Sequence, residues 1–261
     1  MSTWVLLRGL TRESRHWGEF PALLQAQLGS AQVVTLDLPG NGQLNLQPSP
    51  TNVPDMADAC RALLRERGLP PPYHLLAMSL GAMVALAWAH AHPGELQGCV
   101  LINTSLRTFS PWYQRLRPRN WRRVLGMALS HDAAANERTV LSMTTRHPTV
   151  DRPTLLAQWI RWRRENPVSR ANALRQLWAA ARFSAPRAAP PVPLLVLVLV
   201  SAADGLVDPR CSQRLAQAWG APLRKHPTAG HDLPLDDGAW VAREVAAWLA
   251  APGQAPRKCF L

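Results

Sequence analysis

The strongest constraint on this chain is an alternation of two periodicities. Apolar runs at 4–7, 33–36, 75–78 and 99–102 have the length and composition of strands. Segments 55–67 and 80–90 between them have helical spacing, with Met56, Cys60, Leu63 and Leu64 near one stripe of the first. After a long interval the pattern resumes with an apolar run at 194–200, a strand candidate at 222–226 and an amphipathic helix at 239–249. Strands alternating with helices imply a mostly parallel sheet with helices on both faces. The unbroken run 194–200 fits a strand buried on both sides, because one-sided burial would place polar residues at every second position.

The interval 106–190 has a different character. It contains no strand-like run, and its Arg, Trp, Ala and Leu residues fall at helical spacing. Pro167 divides it into separate helices, and 184–193 reads as an extended linker back to the sheet. The charge is concentrated there. The whole chain carries 29 Lys and Arg against 17 Asp and Glu, a formal net charge of +12. This interval holds 16 Arg, no Lys and four acids (Asp132, Glu137, Asp151 and Glu165), which accounts for the entire excess. The remainder balances at 13 basic and 13 acidic residues. A charge confined to one insertion, with no recognition motif, argues against a nucleic-acid partner.

Other classes are constrained more briefly. With 261 residues, 47% of them hydrophobic, the chain can bury a substantial core. Cys60, Cys99, Cys211 and Cys259 are widely spaced with no C-x-x-C pair, so neither a disulfide framework nor a zinc site is expected. His90 and His92 end a helical segment, and His16, His74, His131, His147 and His226 lack ligand spacing, so no metal or other cofactor is expected. The N-terminal segment lacks the pattern of a signal peptide, and no apolar run approaches the roughly 20 residues that span a bilayer. Cys259 is third from the end and misses the prenylation pattern. A cytoplasmic protein without a membrane partner is the expectation.

The chemistry is concentrated at one junction. Ala77-Met78-Ser79-Leu80-Gly81 lies between a strand and a helix, the context in which a G-x-S-x-G sequence forms a sharp turn that exposes the serine Oγ. Ala77 stands at the first glycine position, and a serine at an ordinary strand–helix junction is the alternative reading. Downstream, Asp204 follows one strand candidate and His231 the next, giving the chain order Ser, Asp, His. With these residues the sequence resembles the α/β-hydrolase family. Leu7-Arg8-Gly9-Leu10 is similar to the family's His-Gly loop, and Asp37-Leu38-Pro39-Gly40-Asn41-Gly42 to its D-x-P-G-x-G turn. The helical interval sits where the family inserts a cap. The resemblance covers nearly the whole chain, with core segments 1–105 and 191–261 and a cap at 106–190.

The resemblance implies a role for each matched residue. Ser79 would be the nucleophile, His231 the general base and Asp204 the carboxylate that orients it. The backbone N–H groups of Leu10 and Leu80 would form the oxyanion hole. Asp208, just before Pro209, is a rival for the acid, with a helix N-terminal role as its other reading. A variant that places the acid after the fourth strand meets only Asn103-Thr104-Ser105. Arg8 departs from the family's histidine and either packs at the loop base or holds an anionic substrate. Trp159 and Trp162 are candidates for the pocket wall. Arg161, Arg163 and Arg164 beside them are either a solvated face or a docking surface.

Three functions follow. The first is a serine hydrolase of small carboxylic esters or acyl thioesters. The second acts on acyl groups carried by coenzyme A or by an acidic acyl carrier docked on the basic cap. The third is a non-catalytic binding protein on the same fold.

Overall fold

The computed structural model describes residues 2–148, 150–190 and 194–251. Six parallel strands form one sheet: β1 (Thr3–Leu7), β2 (Gln32–Leu36), β3 (Tyr73–Met78), β4 (Leu96–Ile102), β5 (Leu195–Ser201) and β6 (Leu223–His226). Their order is β2-β1-β3-β4-β5-β6. The first four runs expected to be strands are strands, each longer than expected. β4 starts at Leu96 because Gln97 and Gly98, which interrupt the apolar run, still pair in the ladder or bridge it. Three residues of the expected linker, 191–193, and Cys259 lie outside the described residues.

Side-chain alternation explains why the central strands β1, β3, β4 and β5 are largely apolar. Val5, Leu7, Leu75, Ala77, Cys99 and Leu101 point into one core layer. That layer is completed by α2 (Val53–Glu66) and α3 (Leu80–Ala91). Trp4, Leu6, Leu76, Met78, Val100 and Ile102 point into the other, against α1 (Phe20–Leu28). Two apolar faces leave the central strands no solvent side, while the edge strand β6 exposes Arg224 and Lys225. Burial also explains the inert thiols: Cys60 and Cys99 are pushed up to about 12 by the low polarity of the core.

Between β4 and β5 the described residues form five α-helices: α4 (Trp112–Arg115), α5 (Trp121–Leu129), α6 (Ala133–Thr144), α7 (Arg152–Glu165) and α8 (Arg170–Arg182). Each of the last three begins with a capping side chain. Asp132, Asp151 and Ser169 accept the otherwise unpaired N–H groups of the first turn. Pro167 lies in the break between α7 and α8. The fold closes with α9 (Arg210–Trp219) after β5, and with α10 (Leu233–Ala250), which packs beside α1. α10 begins six residues before the expected 239, because non-helical Asp237 interrupts its spacing.

Candidate active site

The turn after β3 is built as the sequence suggests, with one adjustment. Ser79 has φ 54° and ψ −117°, a conformation that L side chains rarely adopt. Its N–H donates to the Ile102 carbonyl (3.0 Å), which ties the turn to the end of β4. Gly81 is required by close approach: a Cβ there would lie 2.4 Å from the Leu7 carbonyl oxygen and 2.6 Å from that of Arg8. Gly9 is similarly close, since its Cβ would meet the Ser79 Cβ at 3.2 Å. Ala77 lies within β3, in register with Leu7 and Leu101, so it occupies ordinary strand backbone and needs no glycine.

The other polar residues arrive from strand ends. Asp204 follows β5 and His231 follows β6, both buried. His231 Nδ1 donates to Asp204 Oδ2 at 2.8 Å. The second oxygen of Asp204 accepts the N–H groups of Leu206 and Val207 (2.8 and 2.9 Å), fixing the carboxylate plane. Asp208 instead binds the backbone and guanidinium of Arg210 at the start of α9. Burial alone would lower the His231 pKa, but the Asp204 carboxylate, followed by Asp232, outweighs it and holds the imidazole above its ordinary value.

Arg8 is turned into the protein. Its two terminal nitrogens grip Asp232, the residue after His231, at 3.0 and 2.5 Å. Its guanidinium lies 4.7 Å from the centre of the Trp17 ring. The loop that presents Leu10 is thereby joined to the loop that presents His231.

Three residues missed at the sequence level hold the site from outside. Asn103 donates to the His231 carbonyl (2.8 Å) and to Ser201 Oγ (2.9 Å), and accepts from the Ser201 N–H (2.8 Å). It occupies the position after β4 where no carboxylate was found. Asp236 accepts backbone N–H groups from Gly230, Arg146 and His147, joining the histidine loop to the chain after α6. Asp232 is the third, as the partner of Arg8. All three act across long sequence separations, and local periodicity carries no trace of such partners.

Ser79, Leu80, Leu10, Arg8, His231 and Trp159 line one cavity of about 470 Å³. Its wall is mostly apolar, with Met78, Met83, Val124, Met127, Val140 and Met143 among the contributors. Trp162 is not among its lining residues; the ring packs edge-on against His16 and borders a small neighbouring pocket. At the end of the cavity near α7, Arg12 donates to the buried Glu137 carboxylate at 2.6 Å and stacks over Trp159. The expected basic run divides. Arg163 folds inward to the Val168 carbonyl, while Arg161 pairs with Glu165 at the surface. Among the described residues, no group of three or more His, Cys, Asp or Glu is arranged to hold a metal ion.

The sequence model described as the alpha/beta hydrolase family matches residues 4–244. The chain belongs to the alpha/beta hydrolase family. Solved structures agree on the fold. An enol-lactonase from Burkholderia xenovorans superposes with a TM-score of 0.76 at 19% identity, covering 96% of this chain and 92% of that one. A thermophilic esterase from Thermogutta terrifontis gives 0.72 at 21% identity, covering 95% and 89%. An esterase from a Rhodococcus species gives 0.73 at 19% identity, covering 97% and 91%. No curated protein matches the chain significantly by sequence.

Proposed function

We propose that this hydrolase cleaves carboxylic esters or thioesters of apolar acyl groups through an acyl-enzyme on Ser79, with residues 106–190 acting as its cap. The observation that carries the reading is the 2.8 Å bond from His231 Nδ1 to Asp204, made in the wall of the cavity that also contains Ser79.

The steps follow from that arrangement. His231 Nε2 takes the proton of Ser79 Oγ as the oxygen attacks the acyl carbon, and Asp204 stabilises the resulting imidazolium. The negative oxygen of the tetrahedral intermediate accepts the N–H groups of Leu10 and Leu80, preorganised donors worth about 3 kcal/mol each. As the bond to the leaving group breaks, His231 returns the proton to the departing alcohol or thiol. Water then attacks the acyl-enzyme, again losing its proton to His231, and the acid is released with Ser79 restored.

The methionine-rich wall supports an apolar acyl group, since unbranched thioether side chains adapt to varied chain shapes. Trp159 belongs to that wall. The buried pairing of Arg8 with Asp232 supports a positioning role for Arg8 in place of substrate contact.

A panel of p-nitrophenyl esters and acyl-coenzyme A thioesters, from two to twelve acyl carbons, tests the proposal. Turnover of medium-chain members, lost in Ser79→Ala by about four orders of magnitude, is expected. A folded wild type inert on every member would favour the non-catalytic binding reading.

A further inference from the structure

The arginine-rich insertion exposes an unusual amount of apolar surface. Among the described residues, nine large hydrophobic side chains are exposed, and seven of them lie on three helices of the insertion. They are Trp112 and Tyr113 on α4, Trp121 and Leu125 on α5, and Leu174, Leu177 and Trp178 on α8. α5 lies against α8, which brings their two groups side by side. Trp112 and Trp121 stack at 4.6 Å between ring centres, and Trp112 meets Tyr113 edge-on. Leu125 lies one helical turn from Trp121, and Trp178 one turn from Leu174. Trp112, Trp121, Leu174 and Leu177 also line the cavity, so this surface is the rim of its mouth.

Core packing does not explain such exposure. Trp112 is 65% exposed, Leu125 62% and Trp178 54%. Contiguous apolar patches of this kind mark a surface that meets something else. The charge around them indicates what. Arg122 and Arg123 on α5 and Arg175 and Arg182 on α8 are exposed among them, and Arg182 lies over the Trp178 ring. None of α4, α5 or α8 contains an acidic residue.

From this we infer that α4, α5 and α8 form a docking surface for an anionic lipid bilayer, with the mouth of the cavity facing the membrane. Tryptophan and leucine would enter the headgroup boundary, and the arginines would meet the negative surface. An acidic protein would satisfy the arginines but would leave much of the tryptophan and leucine surface without a matching partner. The association is peripheral: among the described residues, no helix is long and apolar enough to cross a membrane. It departs from the expectation of no membrane partner, because side-chain exposure on a helical insertion is not readable from spacing. The inference rests on the proposed ester-cleaving site, whose acyl substrates would then enter from the lipid phase.

Flotation of the full chain with vesicles tests it without requiring turnover. One vesicle set is phosphatidylcholine, the other an equal mixture of phosphatidylcholine and phosphatidylglycerol. Wild type is expected to float with the anionic vesicles and far less with the neutral ones. Leu125→Ser/Trp178→Ser should lower the bound fraction at least tenfold. Arg122→Glu/Arg123→Glu should weaken anionic binding by about fivefold or more for each charge replaced. Neither pair lines the cavity, so both variants should hydrolyse a soluble short ester as wild type does. Failure of wild type to float with anionic vesicles at low salt would overturn the inference. So would flotation of both double variants at the wild-type level, or binding to an acidic acyl carrier with none to vesicles. Flotation that persists in a protein inert on every ester would support this surface while overturning the catalytic reading.

Discussion

His231 is where the electrostatics of the site converge. Three charged groups act on its imidazole: Asp204 through a direct bond, Asp232 through its charge, and Arg8 with opposite sign. The net effect holds its pKa above the ordinary value of about 6.5. A general base works when neutral, so the acid limb of kcat/KM should lie above pH 6.5 and activity should rise through it. Stability runs the other way. A folded-state pKa raised above the unfolded value contributes stability that is complete below about pH 6.5 and fades as pH rises through the folded value.

The Arg8–Asp232 pair gives a sharper prediction. Asp232→Asn removes one negative charge beside His231 and should move the acid limb to lower pH. Arg8→Met leaves Asp232 uncompensated and should move it to higher pH, at a stability cost of about 3–5 kcal/mol for the unpaired buried carboxylate. The double variant should return the limb towards wild type. A limb that stays fixed in all three would show that the pair does not act on the imidazole. The choice of acid is tested alongside: Asp204→Asn should be crippling, while Asp208→Asn should affect only the start of α9. The reverse ranking in kcat/KM would reject Asp204.

At the scale of elements, the turn between β3 and α3 holds Ser79 in a strained backbone. The positive φ of Ser79 costs of order 1–3 kcal/mol. Ser79→Gly should therefore unfold at a higher temperature than Ser79→Ala, although both should be inactive; equal melting temperatures would deny the strain. Gly81→Ala drives a Cβ into the Leu7 and Arg8 carbonyl oxygens and should destabilise the fold by about 1–3 kcal/mol, measurable by urea denaturation.

The strands and this turn were legible in the sequence because burial on both faces leaves an apolar run, and a tight turn leaves small residues. α1 and α9 were not assigned. In α9 the buried face is Cys211, Ser212, Leu215 and Ala216, cleanly separated from arginine and glutamine, but Leu215 is its single large apolar residue. The early start of α10 was hidden by Pro234, Asp237 and Gly238. Asn103, Asp232 and Asp236 were invisible for a different reason. Each is an ordinary polar residue whose importance comes from a partner that only the fold brings near.

For the molecule as a whole, the charge divides where the chain does. The balanced core supplies Ser79, Asp204 and His231, and the insertion with its 16 arginines covers and borders the cavity. Buried ties between the parts include Arg12 to Glu137, Asn172 to the Ser49 N–H and Gln176 to Asn41, and Asp236 adds bonds to the backbone at Arg146 and His147. Breaking the first by Glu137→Gln should loosen the insertion more than the sheet. Faster amide exchange in α6 and α7, with unchanged exchange in β3 and β4, would register that difference.

Everything proposed for the site depends on Ser79 being the nucleophile of a working triad. Treatment with a fluorophosphonate, followed by peptide mapping by mass spectrometry, tests it most directly. One phosphonyl adduct is expected, on Ser79, formed rapidly in wild type and at least about a thousandfold more slowly in His231→Ala. Ester turnover that continues with Ser79 unmodified, or an adduct on another residue, would contradict it.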